Sequence, residues 1–117
     1  MEDVALKLLV CFTDERSWTL RRLVMAEVTQ MPDLVDVFLG RAAARVNQSL
    51  ADRLLALSVA GHLRVDDPTL AAEQFGSLLT GGMDGRTRFG TRRVPEPELR
   101  EVARATVDTF LRAFAPA

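Results

Sequence analysis

From Val35 to Leu57 apolar residues return every three or four positions, at Val35, Leu39, Ala42, Val46, Leu50, Leu54 and Leu57. That spacing keeps them on one side of an α-helix. Pro32 suits a first helical position, Asp33 and Asp36 lie near the positive end of the helix dipole, and Gly61 offers a left-handed cap at the far end. At ~1.5 Å per residue the predicted helix runs on the order of 40 Å, the scale of a small domain. The remaining elements must therefore lie along it. Gly40 interrupts it early, at roughly 1 kcal/mol against alanine, which predicts a kink or a close neighbour.

The rest of the chain is helical by the same criterion. Glu2 to Phe12 carries Val4, Leu8 and Cys11 on one side with Leu6, Leu9 and Phe12 beside them. Thr13, Asp14 and Glu15 supply capping oxygens for a second helix, from about Arg16 to Gln30. Its residues Trp18, Leu20, Leu23, Val24, Met25 and Val28 all ask to be covered, so it is expected to be mostly interior. Asp67-Pro68 opens a fourth helix that ends among Gly81, Gly82 and Gly85. Residues 84–94 have no periodicity and read as a loop, and a last helix runs from Pro95 to about Phe114. No alternating β pattern occurs. The expected fold is all-α: one five-helix domain over residues 1–117, dimerising through its last two helices.

The dimer follows from apolar surface. The last helix exposes one polar strip, Glu101, Arg104, Asp108 and Arg112, and carries two apolar stripes: Leu99, Ala103, Thr106 and Phe110, then Val102, Val107, Leu111 and Phe114. One burial surface suffices for a terminal helix in a monomer. Two point to a second subunit across a two-fold axis. In the fourth helix Ala72, Gly76 and Thr80 form a ridge of small residues that permits close approach. Ala72, Gly76, Thr80, Leu99, Ala103, Thr106 and Phe110 are the expected dimer contact.

Charge and cysteine content narrow the function. Fifteen basic and sixteen acidic residues nearly cancel, giving the domain no overall attraction for DNA or an anionic membrane. A lone Cys11 excludes an internal disulfide and fits a reducing cytoplasm. It is expected to be a buried, inert thiol. No apolar run reaches the ~18 residues of a membrane span. The lone His62, following a helix-ending glycine, cannot build a usual zinc site and is expected to be structural or exposed. With no phosphate loop and no nucleophile-histidine-acid set, neither an enzyme, a metal nor a cofactor is expected. Arg86, Arg88, Arg92 and Arg93 around Phe89 read as a solvated loop rather than a phosphate site.

Phe12, Trp18, Met25, Phe38, Phe75 and Met83 are the candidates to line an apolar ligand cavity, against the plainer role of core packing. Trp18 leads them, because it is the single tryptophan and its indole N–H is a directional donor.

The order of pieces resembles the C-terminal domain of TetR/AcrR transcription regulators. The resemblance is carried by Arg22-Leu23-Val24-Met25-Ala26-Glu27 before Pro32-Asp33-Leu34, by Leu54 through Ala60-Gly61-His62-Leu63-Arg64, by Asp67-Pro68 with Ala71-Ala72-Glu73-Gln74-Phe75, and by Val107-Asp108-Thr109-Phe110-Leu111-Arg112. It implies that the last two helices pair with their copies as an intermolecular four-helix bundle, and that earlier helices enclose a small apolar or aromatic effector. The family's three-helix DNA reader has no counterpart in this sequence, so DNA would be contacted only through a missing helix-turn-helix domain. The alternative is a stand-alone helical adaptor that binds another protein and has no ligand cavity.

Overall fold

The computed structural model describes residues 1–116, without the side chains of Leu39 and Ala42, so those two members of the long apolar series lie outside the described residues. The elements are α1 (Glu2–Thr13), α2 (Glu15–Glu27), α3 (Pro32–Phe38), a π-helical segment (Leu39–Ala43), α4 (Ala44–Val59), α5 (Pro68–Thr80), α6 (Met83–Arg86) and α7 (Glu96–Ala113). No strand occurs among the described residues.

Local chemistry explains most boundaries. The Asp67 carboxylate accepts from the Leu70 backbone N–H at 3.1 Å, with Pro68 next in the helix. At the end of α4 the His62 and Gly61 amides donate back to Leu57 and Ser58, and Gly61 adopts φ +83°, the left-handed cap expected there. Asp14, by contrast, makes no side-chain cap bond, and Thr13 turns its hydroxyl to the Leu9 carbonyl.

Two elements differ from the five-helix expectation. The long third helix is divided by the π segment at Gly40, where a Cβ would meet nothing within 4 Å, so the glycine accompanies a change of helical pitch and not a close neighbour. The loop after α5 begins with the extra turn α6, anchored by fully buried Met83, whose carbonyl accepts from the Thr87 hydroxyl at 2.7 Å.

The core lies between α1, α4, α5 and α7, where Leu9, Leu54, Phe75, Leu79 and Phe110 are buried. Phe75 meets Phe110 edge-on at 5.2 Å, a favoured aromatic geometry. α2 packs on α1 and α3 at one end. Contrary to expectation α2 is not interior: Leu20, Leu23, Met25 and Val28 are exposed, and Cys11 on α1 is exposed as well. The reason is shape. The molecule extends 47 × 33 × 17 Å, with a radius of gyration of 15.3 Å. A compact domain of this length would have about 13 Å. A slab this thin cannot cover both sides of every helix. Its accessible surface is 7953 Å², against about 6,300 Å² for a typical monomer of this mass. The excess of about 1,600 Å² is about twice the roughly 800 Å² that one partner contributes to a standard interface.

Candidate functional site around Arg21

Arg21 sits in the middle of α2, three residues after Trp18, so both side chains project on neighbouring parts of one helix face. Its guanidinium carbon lies 3.6 Å from the Phe12 ring centroid and 3.9 Å from that of Trp18. Both rings are thus within cation–π range of the guanidinium. Nη2 donates to the Phe12 carbonyl at 2.7 Å, while Nε is buried without an acceptor. Burial lowers the Arg21 pKa from its ordinary value and the more distant charge of Asp84 raises it, leaving a net downward shift. No ion pair to Arg21 is formed by the described carboxylates.

One concavity is lined by Arg21, and a second lies beside it against Trp18 and Arg22. An apolar groove of about 340 Å³ between α2 and α3 is lined by Arg21, Val24, Met25, Val28, Val35 and Phe38. A larger cleft of about 810 Å³, with Trp18, Arg22, Gly90, Arg92 and Leu99 among its walls, opens toward the start of α7. Trp18 is 2% exposed and its Nε1, the expected directional donor, has no acceptor. Arg22 donates to the Phe89 carbonyl at 3.0 Å and ties the loop after α6 to α2.

The six expected ligand residues do not form one cavity. Met25 and Phe38 share the groove, and Phe12 and Trp18 reach it only through Arg21. Phe75 and Met83 are wholly buried core residues with no surface turned to a ligand.

The expected dimer contact divides similarly. Ala72, Leu99, Ala103, Thr106 and Phe110 are buried inside a single chain, with Gly76 and Thr80 half-exposed. The small stripe of α7 faces its own core. Among the residues that the two helices turn outward is a different set: Leu70, Gln74 and Leu78 at four-residue steps on α5, beside Glu73, and Ala105, Thr109 and Ala113 at four-residue steps on α7, beside Arg104, Asp108 and Arg112. A hollow of about 490 Å³, largely apolar but with Glu73 in its wall, joins Leu70, Gln74, Ser77 and Leu78 to Ala113 and Phe114.

The arginine-rich loop is partly neutralised from within. Glu98 receives Arg86 at 3.2 Å and Arg92 at 3.0 Å. The Arg92 hydrogen bond first, then the contacts with Arg86, hold the Glu98 carboxyl below its ordinary range, and the same pairing raises Arg92. His62 is exposed. No cluster of three or more metal-binding side chains occurs among the described residues, and no helix is long and apolar enough to cross a membrane.

Residues 1–116 match the pattern of the C-terminal domain of AefR-like transcriptional repressors. The chain belongs to this TetR-type family. The crystal structure of a TetR-family transcriptional regulator from Mesorhizobium loti superposes with a TM-score of 0.89 at 29% identity, covering 97% of this chain and 57% of that one. The chain therefore spans little more than half of that regulator. No curated protein sequence matches it.

Within this TetR-family domain, sequence reasoning missed Arg21. A charged residue on a helix rich in exposed apolar side chains reads as solvated. The available signal was its spacing: Trp18 lies one turn before it and places an aromatic face within reach of the guanidinium.

Proposed function

We propose that this TetR-family domain senses a small apolar or aromatic effector and pairs two copies of a transcription regulator. DNA would be read by a helix-turn-helix segment outside these residues. The observation that carries the sensing role is the α2–α3 groove, where one cation, Arg21, lines a cavity whose other walls are Val24, Met25, Val28, Val35 and Phe38. Ligand sites commonly combine apolar walls with few polar groups of this kind.

Pairing is proposed through the outward faces of α5 and α7, by Leu70, Gln74, Leu78, Ala105, Thr109 and Ala113, and not by the buried stripe of Leu99, Ala103, Thr106 and Phe110. The exposed apolar Leu70 and Leu78 on this surface and the excess area of the lone chain support it. Small residues at four-residue steps let two helices approach closely, so two copies would build a four-helix contact.

A thermal-shift screen of small apolar and aromatic compounds tests sensing, since a ligand selective for the folded state raises the melting temperature. Sedimentation tests pairing. Thr109→Arg should give a monomer, and a wild-type monomer at micromolar concentration would end the dimer reading. A dimer that responds to no compound would favour the adaptor.

A further inference from the structure

The geometry points to the chemical class of the effector: a monocarboxylate with a compact apolar body, its carboxylate held by Arg21 in the α2–α3 groove. This rests on the groove being the sensing site.

Arg21 is a partly buried cation given no anion among the described residues. Its hydrogen bond goes to a neutral carbonyl, that of Phe12, and its Nε is enclosed with nothing to receive it. A guanidinium keeps its charge under all ordinary conditions. Shielding part of it from solvent without a counter-charge is unfavourable, and an arriving carboxylate offsets that cost. Asp84 does not do so internally, because it influences Arg21 without forming an ion pair.

The shape of the site selects among anions. Phe12 and Trp18 both crowd the guanidinium carbon and Nε is enclosed, so the terminal Nη groups are what remain for a ligand to meet. A planar carboxylate can bridge Nη1 and the second N–H of Nη2 through two parallel hydrogen bonds. Arg21 is the one charged residue lining the groove, which matches a single negative charge; a phosphate dianion would leave charge uncompensated among apolar walls. At about 340 Å³ the groove lies at the small end of ligand sites.

The experiment compares octanoate and 4-phenylbutyrate with their neutral amides, using calorimetry and the emission of Trp18, the single tryptophan. The acids should bind the wild-type chain at least about tenfold more tightly than the amides. In Arg21→Met that preference should vanish while amide binding persists, and Arg21→Lys should retain part of it. Amides binding as tightly as acids to the wild type would overturn the carboxylate assignment and leave the sensing groove standing. An undiminished acid preference in Arg21→Met would overturn it too. If neither acids nor amides bind at millimolar concentration, the assignment and the groove fall together. The wild-type comparison stands even if Arg21→Met does not fold.

Discussion

Gly90 lies flat against the indole of Trp18: a Cβ at this position would stand 2.6 Å from the tryptophan Cγ and 2.7 Å from Cδ2. The backbone there has φ +87°, at the end of a run in which Arg88 and Phe89 also take positive φ. Glycine is thus required twice, by conformation and by space.

Gly90→Ala should destabilise the domain by about 1–3 kcal/mol, through overpacking and a strained backbone together. Chemical denaturation followed by Trp18 emission measures it directly. An unchanged midpoint would show that the loop does not pack on α2 as described.

Gly40→Ala should act in the opposite direction. Its φ is not in the left-handed region and a Cβ would meet open space, so alanine loses less conformational freedom on folding. A gain of about 0.4–1 kcal/mol is expected from thermal melting. A loss would mean that the wide turn at Leu39–Ala43 depends on glycine itself.

Phe110→Ala should be among the most damaging single changes. The ring is fully buried between Phe75, 5.2 Å away, and Phe114, 4.5 Å away. Its removal should cost about 3–5 kcal/mol, a large share of the roughly 5–15 kcal/mol that holds a domain together. Loss of cooperative melting at the wild-type midpoint is the expected signal.

Glu98 predicts a response to acid. Its carboxyl is held below the ordinary value of 4.5 by Arg92 and Arg86, so it contributes stability above that pH. The contribution declines as pH falls through the lower, folded-state value. Glu98→Gln should therefore lower stability at neutral pH and lose less than the wild type below about pH 4. Parallel melting curves at neutral and acidic pH provide the comparison.

The parts of the fold legible in the sequence were those set by local chemistry. Asp67 and Pro68 begin α5 and Gly61 ends the long helical run because caps depend on residues only a few positions apart. Which side of a helix faces inward is not local. On α7 the stripe Leu99, Ala103, Thr106 and Phe110 and the stripe Ala105, Thr109 and Ala113 are both uncharged and both helically spaced, and only the positions of α1 and α5 decide that the first is buried. Arg21 escaped notice for the same reason: its surroundings are completed by Phe12, from another helix. The π segment is likewise a matter of how α3 leans on α2 while α4 leans on α5, and periodicity alone carries no trace of it.

The 17 Å thickness has a consequence for measurement. Were a body this thin to finish burying its apolar residues in the proposed pairing, its stability would be tied to how much of its copy is in solution. Its melting temperature should climb with protein concentration, by mass action, and level off once pairing is complete.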